Sequence, residues 1–121
     1  MPWRYQQSTG YLYYDDKLIT KNGYSGHGTG KNAPGMEGIH DVGPIPRGKY
    51  TVSKAFDHKI RGPLVMSLTP LGHDARKRSG FLIHGDSREH PGNASNGCIV
   101  LDLNHRKMIS ESEDQILEVF P

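Results

Sequence analysis

Apolar residues along this chain come in short runs, each closed by glycine, proline or a polar pair. Runs of that length fit strands, since a helix needs roughly ten or more residues at a 3.6-residue period. Residues 11–14 and 17–20 flank Asp15-Asp16 and predict a hairpin. Lys49-Tyr50-Thr51-Val52-Ser53 alternates and predicts a strand. Pro44 and Pro46 before it cannot donate to a ladder, so that segment is edge or loop. Residues 64–69 predict a further strand, ended by Pro70, and residues 81–83 and 99–101 predict two more. Residues 22–38 are rich in glycine and read as a long loop, with one helical turn at most over 33–38. The best helix candidate is 104–118, with Met108, Ile109, Ile116 and Leu117 apolar. The pattern predicts a mostly β fold: a compact sandwich or barrel of about six to nine short strands with one C-terminal helix.

Two of these strands carry the chemistry. His84 follows Phe81-Leu82-Ile83, and Cys98 precedes Ile99-Val100-Leu101. A thiol and an imidazole therefore sit at the ends of adjacent apolar runs. A free cysteine is only a few per cent thiolate at neutral pH, and a neighbouring histidine can take its proton and hold an ion pair. The histidine must itself be oriented, for which the Gly85 carbonyl and the Asp86 carboxylate are the local candidates. Gly97 allows close backbone approach, and the Gly97 and Cys98 amides are candidates for an oxyanion hole. Ser95 and Asn96 add side-chain donors at the same turn. A lone cysteine is most often a small buried hydrophobe, and it is the polar glycine-rich turn and upstream His-Gly that favour catalysis here. The histidine precedes the cysteine, which opposes a papain-like plan.

At these residues the chain resembles the L,D-transpeptidase catalytic domain, with its His…Ser-His-Gly-Cys signature. The matching pieces are Ile83-His84-Gly85 and Ser95-Asn96-Gly97-Cys98-Ile99. Residues 42–52 are similar to the family's Thr-Pro-x-Gly-x-Phe/Tyr segment. The chain is most similar to a compact branch that includes type VI secretion L,D-transpeptidase effectors. That likeness rests on Trp3-x-Tyr5, Ser8-Thr9-Gly10, the 24–30 segment and Gly43-Pro44-Ile45-Pro46, and covers roughly residues 3–103. Asn96 stands where the larger family has a second histidine. The resemblance implies a Cys98 nucleophile, a His84 base oriented by the Gly85 carbonyl, and oxyanion donors at Gly97 and Cys98. It implies attack on a tetrapeptide stem between meso-diaminopimelate and a terminal D-amino acid. Water then gives L,D-carboxypeptidase activity, and an amine gives transpeptidation or exchange. Ser95 is placed with the catalytic turn, and Asn96, Asp86, Tyr24, His27 and Arg78 with the substrate.

The remaining features narrow this picture. The chain of 121 residues is read as a single domain over 1–121. One cysteine excludes an internal disulfide. His84, Asp86, His90 and Cys98 fit no closed zinc pattern, so no metal or other cofactor is expected. The Gly26-His27-Gly28-Thr29-Gly30 run lacks the Lys-Ser/Thr of a phosphate loop. The basic stretch Arg76-Lys77-Arg78 reads as a solvated loop, with recognition of a substrate carboxylate as the functional alternative. A net charge of +2 gives no indication of nucleic-acid binding. No stretch has signal-peptide or membrane-span character. A peptidoglycan substrate outside the cytoplasm then calls for delivery by a secretion apparatus or by phage, action in the periplasm of a target cell, and an immunity protein in the producer. The rivals are a non-enzymatic wall-binding or virion module with the same fold, and a zinc-binding domain.

Overall fold

The backbone is a computed structural model that describes residues 2–121; Met1, the first residue of the expected domain, lies outside them. Ten strands form among these residues: β1 (Trp3–Gln6), β2 (Leu12–Tyr14), β3 (Lys17–Thr20), β4 (Tyr24–Ser25), β5 (Gly48–Val52), β6 (Phe56–His58), β7 (Gly62–Leu71), β8 (Phe81–His84), β9 (Ile99–Val100) and β10 (Ile116–Phe120). One α-helix, α1 (Leu103–Glu111), precedes the last strand. The strands join in one mixed sheet of order β3-β2-β1-β10-β5-β7-β8-β9-β4, with β6 branching from β7. The β1–β10 and β8–β9 pairs are parallel and the others antiparallel. The mostly β class with one helix near the C-terminal end is borne out.

The sheet rolls up. Neighbouring strands lie about 4.8 Å apart, so a flat sheet of this many strands separates its ends by some tens of ångströms. Yet Leu12 on β2 and Ile99 on β9 share one buried cluster with Tyr50, Ile83 and Leu117. The closure is visible where the two ends meet: a Cβ on Gly10 would overlap the Gly23 carbonyl. Each strand feeds this core by simple alternation. Trp3 and Tyr5 point inward while Arg4 and Gln6 do not, and Leu117 and Val119 do the same on β10.

The predicted helix over 104–118 is shorter than its pattern suggested. Asp102 caps its start, accepting from the His105 amide at 2.9 Å. It ends at Glu111, and Ile116 and Leu117 instead pair with Thr51 and Tyr50 in the middle of the sheet. Leu117 and Val119 face the core and Ile116, Glu118 and Phe120 do not, a period-two burial that this nearly continuous apolar run does not reveal.

One buried carboxylate fixes the long loop on the sheet. Glu37 Oε1 accepts from Gln7 Nε2 (2.9 Å), Arg47 Nε (2.8 Å) and the Arg47 amide (3.2 Å), and Oε2 from Arg76 Nε (2.9 Å). It thereby joins the end of β1, the approach to β5 and the turn Ala75–Lys77. All three residues of that turn have left-handed φ of 50–62°, an unfavourable conformation for residues with a Cβ. Burial raises the Glu37 pKa, but the bonds from Arg47, Gln7 and Arg76 outweigh it and bring it down to about 2. A folded-state pKa below the unfolded one contributes stability above about pH 4.5 and loses it as pH falls towards 2. The contribution at neutral pH is on the order of 3 kcal/mol. Acid unfolding should therefore steepen between pH 4.5 and 2, and Glu37→Gln should flatten that limb while lowering stability at pH 7. Unchanged acid dependence in the variant, read from urea midpoints against pH, would refute this role.

Candidate active site

The β8–β9 pair sets the site. The parallel register matches Ile83 with Ile99 and His84 with Val100. Alternation sends Phe81, Ile83 and Ile99 into the core. Leu82, His84 and Cys98 fall on the opposite face, with Cys98 beside Leu82 and two residues short of the partner of His84. The Leu82 amide donates to Cys98 Sγ at 3.3 Å. Cys98 is partly exposed and lines an open cavity of about 310 Å³ with His58, Arg61, Arg78, Gly80 and Asn96.

His84 is fully buried, and its Nδ1 lies 2.7 Å from the Gly85 carbonyl. A carbonyl only accepts, so Nδ1 carries the hydrogen and the lone pair is on Nε2. Nε2 has no hydrogen-bond partner. The local candidates for orienting the ring are thus separated. Asp86 does not serve: its Oδ1 accepts from Tyr24 OH (2.6 Å), the Ser87 amide (2.8 Å) and the Gly92 amide (3.1 Å).

Burial pushes the Cys98 thiol pKa up, against the Leu82 N–H and the Arg61 and Arg78 cations. Burial pushes the His84 imidazole down, against the Gly85 carbonyl and with added repulsion from Arg61, Arg106 and His58. Both directions favour the uncharged forms. The thiol donates to the Gly80 carbonyl at 3.8 Å and not to His84, where the residue pattern alone pointed to an ion pair.

The turn before Cys98 is held from inside. Ser95, fully buried, accepts from the Gly26 amide (2.9 Å) and the Gly97 amide (3.1 Å) and donates to the Cys98 carbonyl (2.6 Å). Its hydroxyl is therefore spent on the fold, and the Gly97 N–H expected at an oxyanion hole is engaged. Ser25 donates to the Gly97 carbonyl at 3.2 Å and accepts from the Ile45 amide at 2.9 Å. Gly97 has φ +128°, and a Cβ there would overlap Arg78 Nη2. Arg78 is buried, not part of a solvated loop. Its Nη1 donates to the Glu37 (2.6 Å) and Pro44 (2.8 Å) carbonyls, and its Nη2 to those of Gly43 (3.1 Å) and Asn96 (3.2 Å).

The other substrate candidates divide. Asn96 is exposed at the cavity. Tyr24 is buried, and its hydroxyl, which donates to Asp86, also accepts from the Ala94 amide at 2.9 Å, so it fastens the 86–94 loop. His27 is exposed and off the cavity lining. Among the described residues, no group of three or more His, Cys, Asp or Glu is placed to share a metal ion. Sequence reading missed Arg61 and His58, on the β6–β7 turn, and Arg106 on α1. Nothing local marks them, because it is the pairing of β7 with β8 that brings that turn to the cavity of Cys98. His58 Nδ1 accepts from the amides of Ile60 (3.1 Å) and Arg61 (2.9 Å) and shapes the turn. On its far side lies a second open cavity, of about 630 Å³, reaching Gly85 and Arg106.

A rolled mixed sheet presenting a cysteine and a histidine on neighbouring strands places the chain in the L,D-transpeptidase-like class of folds. The chain belongs to the Tlde1 domain family, whose model matches residues 19–118, and this is a family of type VI secretion L,D-transpeptidase effectors. Among solved structures it is similar to the helical cell shape determining protein Pgp2 from Campylobacter jejuni, at 17% identity and a TM-score of 0.61. That match covers 97% of this chain but 46% of the Pgp2 chain, so the chain spans about half the length of that protein. No curated protein matches it. No helix among the described residues is long and apolar enough to cross a membrane.

Two measurements check the site. Alkylation of Cys98 by iodoacetamide should rise with pH through a midpoint above that of an ordinary thiol; a midpoint near 6 would instead reveal a resting ion pair. Ser95→Ala leaves the Gly26 and Gly97 amides and the Cys98 carbonyl without this partner, and should cost about 2–4 kcal/mol by denaturant titration. A cost under about 0.5 kcal/mol would show that Ser95 does not hold the turn.

Proposed function

We propose that the protein is a cysteine L,D-carboxypeptidase and L,D-transpeptidase acting on peptidoglycan tetrapeptide stems, with exchange of the terminal D-amino acid. The observation that carries this reading is the His84 ring, tied at Nδ1 to Gly85 and bare at Nε2, on the sheet face that also bears the cavity-facing Cys98 thiol. Membership in a peptidoglycan-acting effector family supports the substrate class.

In this mechanism the Cys98 sulfur attacks the carbonyl carbon between meso-diaminopimelate and the D-amino acid. Its proton passes to His84 Nε2, either directly or through water. The tetrahedral oxyanion is held by the Cys98 amide, the Gly97 amide being already bound to Ser95. Collapse breaks the C–N bond, and His84 returns the proton to the leaving amine. The Cys98 thioester then yields to water, giving a tripeptide stem, or to the amine of a D-amino acid, giving exchange. A neutral starting pair suits this route, because charge appears only once substrate is attacked. Delivery through type VI secretion to the periplasm of a target cell, with an immunity protein guarding the producer, completes the proposal.

Purified protein incubated with tetrapeptide-stem muropeptides and a free D-amino acid should release or exchange the terminal residue, read by mass. Cys98→Ala should abolish both reactions, and His84→Ala should cost about 10²–10⁴-fold in kcat with the fold intact. Because burial lowers the His84 pKa, the base stays neutral into mildly acidic solution, and the acidic limb of kcat/KM should lie below that of an ordinary histidine. A well-folded protein with no Cys98-dependent product on muropeptides or intact sacculi would overturn the enzyme reading in favour of a wall-binding module.

A further inference from the structure

Three arginines surround the Cys98–His84 pair, and their N–H groups are unequally employed. Arg78 spends all but one of its N–H groups on four backbone carbonyls. Arg106 donates to the carbonyls of Asp102 (3.3 Å), Pro63 (2.7 Å) and Leu64 (3.3 Å), and its Nη2 packs over Gly85. Both are buried. Arg61 is half-buried, and its guanidinium makes a single hydrogen bond, from Nη1 to the Ala94 carbonyl at 3.2 Å. No carboxylate pairs with it among the described residues. Yet it lines both the cavity of Cys98 and the second cavity beside Gly85, standing with Ile60 as the wall between them. Its backbone is fixed by the His58 ring.

We propose that Arg61 is the specificity-determining residue of the site, clamping the free carboxylate of the leaving amino acid and so restricting cleavage to stems that end at that residue. The sequence suggested Arg78 for carboxylate recognition, but its donors are committed to the fold. Arg61 has a planar fork with spare donors at the cavity that holds the nucleophile, which is the geometry that takes a carboxylate bidentately. A terminal carboxylate lies a few bonds from the scissile carbonyl, and Arg61 and Cys98 line one and the same cavity. A stem extended by another residue replaces that carboxylate with a neutral amide, and the clamp loses its partner. The same cation lies within electrostatic reach of both Cys98 and His84, so a bound carboxylate would also offset its repulsion of a protonated His84.

This inference rests on the peptidoglycan reading for its substrate, but its test does not need turnover. Peptides ending in D-alanine, as free acid or C-terminal amide, should be titrated into Cys98→Ala protein and its R61M and R61K derivatives by calorimetry. The acid should bind roughly 10- to 100-fold tighter than the amide, R61M should erase that preference, and R61K should keep part of it. Equal binding of acid and amide, or a preference unmoved by R61M, would overturn the proposal. In Cys98-intact protein the same preference should appear in KM more than in kcat. If acid-selective binding is lost in R61M but no Cys98-dependent product forms, the clamp stands and the enzyme reading fails.

Discussion

The buried guanidinium of Arg78 is the interaction on which the site depends. Taking a cation out of water is affordable only when nearly every donor is satisfied, and here four carbonyls do so. Those carbonyls come from two segments far apart in sequence, residues 37–44 and the turn before Cys98. One side chain therefore sets the distance between the long loop and the nucleophile. The requirement propagates. Gly97 must lack a Cβ because Arg78 Nη2 occupies that space. The turn Ala75–Lys77 takes left-handed backbone on the way into Arg78. Glu37 engages Arg76 through its carboxylate and Arg78 through its carbonyl, so the ion network and the carbonyl cage share a residue.

Within that frame burial favours the uncharged forms of Cys98 and His84. Burial dominates at both groups, raising the thiol and lowering the imidazole, and the cations nearby alter but do not reverse this. The Gly85 carbonyl contributes by fixing a tautomer. With Nδ1 donating, only Nε2 can receive a proton, and it is buried without a partner.

Much of this was legible in the sequence wherever the signal was local. The hairpin around Asp15-Asp16, the strands near Tyr50, Met66 and Ile83, and the placement of His84 and Cys98 on adjacent runs all follow from period-two patterning and turn residues. The resemblance to the effector branch rested on short motifs and is matched by the family to which the chain belongs. What escaped was set by distance. Ile116 and Leu117 looked helical because nothing local shows that β10 inserts between β1 and β5. Ser95 looked catalytic and Tyr24 substrate-facing because polar side chains in a glycine-rich loop do not announce which way they point. Arg61 and Arg106 lie on elements that reach the site only through β7, which pairs with β8 and accepts from Arg106 at Pro63 and Leu64.

The arrangement of cations then has a consequence for where negative charge can appear. Three arginines ring the pair, and none forms an ion pair with a carboxylate among the described residues. Carbonyl oxygens satisfy their hydrogen bonds without cancelling their charge, so their positive field persists at the cavity of Cys98, offset in part by the Asp41 carboxylate on the same lining. That field is too weak to ionise a desolvated thiol at rest, but it is present before substrate arrives and needs no rearrangement to act. Each anion the proposed reaction creates or brings, namely the attacking thiolate, the tetrahedral oxygen and the substrate carboxylate, enters a region already organised for it. A carboxylate partner for any of these arginines would have made the fold easier to stabilise and the cavity poorer at receiving such charge.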